Sequence, residues 1–406
     1  TNNNLGMKFN NETLRAAVEE WLDDESKAEK KYGHISNWDT SEVTYMSEMF
    51  YEAKSFNQPL EKWDVSKVTD MSDMFNEATS FNQPLEKWDV SNVTDMSGMF
   101  AFAAFNQTLE KWDVSNVTNM SGMFTGAKSF NQPLEKWDVS NVTDMKGMFS
   151  RAESFNQPLE KWDVSKVWDM SYMFNKAESF NQPLEKWNVS QVTNMSRMFY
   201  KAESFNQPLE KWDVSQVTGM REMFYAAESF NQSLEKWDVS QVIEMTGMFS
   251  GAESFNQPLE KWDVSKVTNM SWMFSRAESF NQPLEKWDVS KVTNMSSMFD
   301  NALKFNQDIE SWDVSKVTEK SGSMGYMFNI IRGKNKSNDY TIFIPEETVG
   351  DANGHYEIWD RDSEGSEFYE EGQLVFEDNV LIDYDGAYEL SESIINEIEK
   401  IRIIRL

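Results

Sequence analysis

Residues 59–75 read PLEKWDVSKVTDMSDMF, and close variants of this phrase recur along most of the chain. Its tryptophan marks the period, with every interval 25 residues except one of 24 between Trp88 and Trp112. The tryptophans that share this register are Trp38, Trp63, Trp88, Trp112, Trp137, Trp162, Trp187, Trp212, Trp237, Trp262, Trp287 and Trp312. A fixed period of this length indicates a solenoid, in which each unit buries its apolar face only against its neighbours.

One repeat contains the spacing of a short strand followed by the spacing of a helical turn. Leu60, Trp63 and Val65 follow the strand pattern of a leucine-rich repeat, which turns Trp63 and Val65 inward. Met71 and Phe75 then stand four residues apart, as on one face of a helix. We therefore predict an α/β solenoid, a leucine-rich-repeat-like right-handed coil of about twelve 25-residue repeats. Each coil is expected to hold one short parallel strand and one short helical turn.

The chain divides into three predicted regions. Residues 1–34 carry a helical pattern introduced by Asn11 as N-cap, and they are predicted to form an N-terminal helical cap. Residues 35–328 form the solenoid. Residues 329–406 lose the period and show strand-like runs at 340–344, 356–359, 374–377 and 380–384, before a final segment with isoleucines at helical spacing. This acidic, β-rich or α+β region is predicted either to cap the solenoid or to act as a docking module.

The ladder of indole side chains is predicted to form the core, with each ring stacked between its copies in adjacent coils. The predicted core ladder comprises Trp63, Trp88, Trp112, Trp137, Trp162, Trp187, Trp212, Trp237, Trp262 and Trp287. Of the 25 methionines, 24 occupy the two Met positions of the repeat, where they are expected to fill an irregular core.

The composition of the chain argues against several classes of function. The net charge of −30 argues against binding to nucleic acid, which needs clustered Lys and Arg. No apolar run reaches the roughly 18 residues that span a bilayer. The chain has no cysteine and only two histidines, His34 and His355, and it contains no phosphate-binding loop or hydrolase motif. We therefore expect neither an enzyme nor a cofactor.

The invariant strand face is predicted to expose alternating charges. This face comprises Lys62, Asp64, Lys87, Asp89, Lys136, Asp138, Lys161 and Asp163. Each row of lysines is expected to offset the neighbouring row of aspartates. Calcium is the weaker alternative, since it takes roughly six to eight converging oxygens and each coil offers one aspartate flanked by lysine.

Several aromatic residues lie at positions that differ from one repeat to the next, where side chains are expected to be exposed. The candidate partner-binding residues are Trp168, Tyr172, Tyr200, Tyr225 and Trp272. Single exposed aromatic residues are common on protein surfaces, but Trp168 and Tyr172 share one short segment, which favours a contact patch.

The phrase WDVSxVTxMSxMFxxAxSFNQ resembles the repeats of the BspA-like leucine-rich-repeat surface proteins, and the resemblance covers residues 14–328. It implies an extracellular location or display on a cell or particle surface, with adhesion to host or matrix proteins. The first functional hypothesis is therefore a scaffold that binds a protein or glycan on another surface. The alternative is a structural subunit of an extracellular fibre, sheath or virion surface, which binds copies of itself through its ends or its C-terminal module.

Overall fold

The computed structural model describes residues 5–305, 307–309 and 311–317, together with strands at 340–344, 355–361, 368–377, 380–386 and 401–405. The chain forms two compact units, Thr1–Val217 and Thr218–Leu406, and each is described by itself. We number the coils by their tryptophans, beginning with Trp38.

Two helices precede the first coil. Helix α1 spans Asn11–Asp23 and α2 spans Glu25–Tyr32, and a short 3-10 turn follows at Ile35–Asn37. Asn10 caps α1, because its side chain accepts hydrogen bonds from the backbone N–H groups of the first turn. The predicted cap at Asn11 was therefore one residue too late.

The N-terminal helices pack on the first coil through specific contacts. The Trp21 ring meets the Trp38 ring edge-on, with centroids 5.9 Å apart. The Asn11 side chain accepts a hydrogen bond from the Thr44 N–H at 2.9 Å. Arg15 Nη2 donates to the Ser47 carbonyl at 2.7 Å. These contacts bury the apolar face of the first coil and satisfy backbone groups that have no preceding coil to bind.

The predicted strand of each coil is replaced by turns. Between residues 38 and 317, the described residues form single parallel bridges between coils, such as Tyr45 with Asp70, and no continuous strand. The N–H groups of the strand phrase are used inside the coil, since Trp63 N–H donates to the Leu60 carbonyl at 3.0 Å. Val68 N–H likewise donates to Val65. Those donors are not available for a ladder between coils.

The predicted helical turn is replaced by a segment that we call the turn wall, residues 46–53 in the first coil and 71–78 in the second. Alternate N–H groups of this wall donate to the next coil: Met46 to Asp70 at 3.0 Å, and Glu48 to Ser72 at 2.9 Å. Glu48 lies in the left-handed region with φ of 58°, a conformation that an α-helix excludes. The turn wall therefore links adjacent coils where a helical turn would bond only to itself.

Two residues in each turn wall have positive φ, and stacking places them in two rows. In the first unit, the first row is Glu48, Asp73, Gly98, Gly122, Gly147, Tyr172 and Arg197, and the second row is Glu52, Glu77, Phe102, Gly126, Arg151, Lys176 and Lys201. In the second unit, the first row is Glu222, Gly247, Trp272 and Ser297, and the second is Ala226, Gly251, Arg276 and Asn301. We call these the first and second left-handed rows.

The core consists of stacked columns of identical side chains. The indoles of the predicted core ladder are each 3% exposed, and the rings of Trp162 and Trp187 are 6.4 Å apart at an interplanar angle of 2°. The indole N–H groups reach back to a backbone carbonyl before them, as Trp63 does to Ile35 and Trp88 to Leu60, both at 2.8 Å. The Met columns are buried beside them. The Trp columns therefore satisfy their one polar group as well as burying their rings.

The C-terminal strands form two small sheets. Strands β2 (His355–Arg361), β3 (Phe368–Glu377) and β4 (Val380–Gly386) pair antiparallel in chain order, while β1 (Tyr340–Ile344) pairs in parallel with β5 (Ile401–Arg405). The isoleucines of β5 suggested a helix by their spacing, yet they adopt the extended conformation that β-branched residues favour. Residues 387–400, in the same segment, lie outside the described residues.

Candidate interaction surfaces

The charged strand face lies at the surface as a repeated ladder, which we call the charged ladder. Its predicted members are all exposed: Lys62, Asp64, Lys87, Asp89, Lys136, Asp138, Lys161 and Asp163. The lysines do not pair with the aspartate rows as predicted. Lys87, Lys136 and Lys161 reach back to a glutamate of the preceding coil, as Lys87 Nζ does to Glu61 at 3.2 Å. Because these pairs are solvated, each is worth only about 0–1 kcal/mol, and the ladder is a well-neutralised face.

The aspartates of the charged ladder are held by their own coil. Asp64 Oδ1 accepts hydrogen bonds from Ser66, from the N–H at 3.0 Å and from the hydroxyl at 2.6 Å. The same arrangement lowers the pKa of Asp113, first through the Ser115 hydroxyl and then through the Ser115 N–H. In the part of the chain that the structure describes, no three acidic or histidine side chains converge as a metal site would require. These carboxylates therefore stabilise turns.

The aspartate turns predict acid sensitivity. Serine hydrogen bonds also lower the pKa of Asp163, so this group and Asp113 stabilise the fold at pH values above their unfolded pKa of about 3.9. That contribution is lost as the pH falls through the lower folded pKa. We expect urea unfolding midpoints to fall as the pH drops below about 4, and to fall less in an Asp113→Asn/Asp163→Asn variant.

The seventh coil provides the precedent for this variant, since Asn188 replaces the aspartate and still accepts the Ser190 N–H at 3.1 Å. Superimposable pH profiles of the variant and the parent protein would contradict the assignment.

The five candidate aromatic residues differ in exposure. Trp168 is 49% exposed and Trp272 is 38% exposed, as predicted for a contact surface. Tyr172, Tyr200 and Tyr225 are half-buried. The expectation that all five side chains are exposed is therefore wrong for these three.

Arginine stacking explains the partial burial of two of these tyrosines. The Arg197 guanidinium lies 5.5 Å from the ring centre of Tyr172 and 5.3 Å from that of Tyr200. Its Nη1 also donates to the Tyr172 hydroxyl at 3.3 Å. Tyr172 lies one coil before Arg197 in the first left-handed row, so this cover follows from stacking and not from sequence proximity.

Trp168 occupies a corner that the other coils of the first unit fill with threonine. In the first unit the equivalent residues are Thr44, Thr69, Thr94, Thr118, Thr143 and Thr193. The backbone of this corner is unchanged, since Trp168 N–H donates to Thr143 and Trp168 accepts from Thr193. The indole is therefore an addition that the coil does not need for its own hydrogen bonding.

Sequence reasoning missed the second left-handed row. Phe102 belongs to it, is 44% exposed, and lies over Gly126 of the next coil, where an added Cβ would stand 2.3 Å from the ring. The available signal was glycine at equivalent positions of the repeat, Gly126 and Gly251, which marks a backbone of positive φ. Among the described residues, no helix is both long enough and apolar enough to cross a membrane.

Sequence comparison places the repeats in a family. The family model described as "Mycoplasma protein of unknown function, DUF285" matches four overlapping stretches, residues 19–132, 86–178, 158–257 and 231–340. No curated protein and no solved structure matches the sequence. The matches support a repeat protein and carry no statement of its activity.

Proposed function

The chain belongs to the family described as Mycoplasma protein of unknown function, DUF285, and we propose that it is a non-enzymatic, surface-displayed scaffold that binds a macromolecular partner. The partner is a protein or glycan on another surface. The described residues supply a rigid repeated frame and a small number of side chains that the frame itself does not use.

The backbone of the turn wall supports this proposal, because its conformation does not depend on which side chain it exposes. Gly147, Tyr172 and Arg197 occupy equivalent places in successive coils, and all have φ between 56° and 62°. Side chains of very different size are thus carried by one backbone conformation. A scaffold built this way can change its exposed side chains while its core remains constant.

The observation that carries the proposal is the exposure of Trp168. Tryptophan is strongly enriched among the residues that dominate binding energy, since its ring offers a large rigid surface. Trp272 offers a second exposed indole in the other unit, at a position where the preceding coil has Gly247. Neither side chain contributes to the stacked core columns.

We further infer that the repeats belong to the leucine-rich-repeat type found in BspA-like surface proteins. The recurring WDVSxVTxMSxMF phrase supports this relationship. Adhesion to host or matrix proteins, and an extracellular or particle-surface location, follow from the resemblance as parts of the same proposal.

Binding to immobilised matrix glycoproteins, glycans and fixed host cells would test the proposal. Each exposed indole is replaced by the residue of an equivalent coil, giving Trp168→Thr and Trp272→Gly, and Thr193→Ala serves as the control on the same corner. We expect at least a tenfold loss of binding in the indole variants, with unchanged thermal unfolding. The proposal would be refuted if the parent protein bound nothing in the panel, or if both indole variants bound as well as the parent protein. Filaments seen by negative-stain microscopy would favour a structural subunit instead.

A further inference from the structure

The turn wall of the first unit separates its charges by sign. The two left-handed rows are acidic in the first two coils and basic in the last coils of the unit. The acidic residues are Glu48, Glu52, Asp73 and Glu77, and the basic residues are Arg151, Lys176, Arg197 and Lys201. Such segregation is notable in a chain of net charge −30, whose charged ladder mixes both signs in every coil.

The coils between these two ends have no charge in either row. The first left-handed row has Gly98 and Gly122 there, and the second has Phe102 and Gly126. Phe102 is exposed and lies over Gly126, so the middle of the wall is a low apolar patch. An apolar centre with charged ends is the usual composition of a protein interface.

Four of the segregated charges lack an ion-pair partner within the described part of the unit. In the described residues, Glu52, Glu77, Lys176 and Lys201 form no ion pair, whereas the lysines of the charged ladder pair with glutamates. The pKa of Lys176 is lowered, first by Arg151, then by burial and by the Lys201 and Arg197 charges. Like charges are therefore crowded at this end of the wall, and an acidic surface would relieve them.

The order of charges along this turn wall is complementary to the same order read in the opposite direction. Seven coils of the first unit contribute to the turn wall, and the fourth, with Gly122 and Gly126, stands at the centre. When a second wall faces the first in the antiparallel direction, the first coil meets the seventh and the second meets the sixth. Parallel alignment in register would instead place acid on acid and base on base.

We propose that a second copy of this chain packs antiparallel against this turn wall, about a two-fold axis through the fourth coil. Glu52 then faces Lys201, and Glu77 faces Lys176. Phe102 faces Arg151, a pairing suited to a cation–π contact. Each contact occurs twice, because a two-fold interface uses the same surface on both partners.

The adjoining corner row has the opposite order of charges and fits the same arrangement. It begins with Lys54 in the first coil and ends with Glu178 and Glu203 in the sixth and seventh. All three are exposed. In the antiparallel pair Lys54 faces Glu203, so this row adds a further complementary contact.

The interface is expected to be weak and sensitive to salt. Solvent-exposed ion pairs contribute little each, and the apolar centre is small. The inference does not rest on the proposed adhesion, since neither Trp168 nor Trp272 belongs to the left-handed rows of the first unit.

Charge exchange tests the arrangement in the full-length protein. Sedimentation velocity from about 1 to 100 µM should show a monomer–dimer equilibrium at about 50 mM NaCl that weakens at about 500 mM. Lys176→Glu/Lys201→Glu and Glu52→Lys/Glu77→Lys should each raise the dissociation constant at least tenfold. Equimolar mixing of the two variants should restore the dimer, and so should a single chain with all four exchanges. The exchanged positions already carry charged residues at positive φ, so the backbone is not newly strained.

A Lys161→Glu/Lys186→Glu variant on the charged ladder has the same change in net charge and should dimerise like the parent protein. Circular dichroism of the stacked indoles establishes that every variant is folded. A parent protein that stays monomeric at low salt would overturn the inference. A dissociation constant of either double variant alone equal to that of the parent protein, or growth beyond the dimer, would also overturn it, the latter by indicating head-to-tail association.

Discussion

Trp112→Ala is expected to lower the free energy of unfolding by about 3–5 kcal/mol, as is typical of a large aromatic side chain removed from a packed core. Trp112 is 3% exposed and is stacked on both sides. Its ring centroid lies 6.5 Å from that of Trp88 and 6.4 Å from that of Trp137, with an interplanar angle of 4° in both pairs. Its indole N–H also donates to the Leu85 carbonyl at 2.9 Å. Urea unfolding followed by far-ultraviolet circular dichroism measures the loss.

Trp112→Phe separates the two contributions. Phenylalanine retains an aromatic ring in the column but removes the indole hydrogen bond to the Leu85 carbonyl, which keeps the Trp88 N–H as a donor. The expected cost is about 0.5–1.5 kcal/mol beyond the smaller packing loss. Trp168→Phe, at an exposed indole, is the matched control and should change stability by less than about 0.5 kcal/mol. Equal effects at the two positions would contradict the assignment of Trp112 to the core.

Trp21→Ala should destabilise the start of the solenoid by about 3–5 kcal/mol, and the effect should be local. Trp21 is 3% exposed and packs edge-on against both His34 and Trp38. Its loss uncovers the first indole of the column. Since each coil contacts only its neighbours, coils farther along should retain their stability.

Hydrogen exchange measures how far along the solenoid the loss of stability extends. The Met46 and Glu48 amides, which bond to the second coil, should exchange faster in Trp21→Ala, while the Gly122 amide should keep its protection. Leu22→Ala is the control on the same helix, because Leu22 is exposed. A uniform loss of protection through the first unit would show that the coils unfold as one cooperative block.

The solenoid was predictable because its main signals are periodic. The Trp, Met and Phe positions recur at a fixed interval, and burial of each position in one coil predicts burial in all. The local conformation was not predictable from apolar spacing alone. Met71 and Phe75 have the spacing of a helical turn, but Asp73 between them has φ of 53°, and the N–H groups bond to the next coil.

Glycine distribution held the missing information. The first left-handed row contains Gly98, Gly122, Gly147 and Gly247, and this frequency indicates positive φ more directly than it indicates tolerance of variation. The candidate surface depended on a further step, since Arg197 covers Tyr172 only because the two residues are stacked in adjacent coils. Reading residues at intervals of one period, rather than along the chain, would have found both the stacking and the segregated charges.

The direction of the hydrogen bonds in the turn wall gives each unit an electrical polarity. The N–H groups of alternate residues point toward the following coil in every repeat, as in Phe75 to Met99 and Phe100 to Met123, so the dipoles of these peptides add. The threonine corner runs the other way, with Thr94 N–H donating to Thr69. The leading end of the first unit therefore presents carbonyl oxygens, and the cation that meets Ser47 there, Arg15, has the sign that such an end attracts. A segment that closes a stack of this kind must match the dipole of the end it covers, as well as its apolar surface.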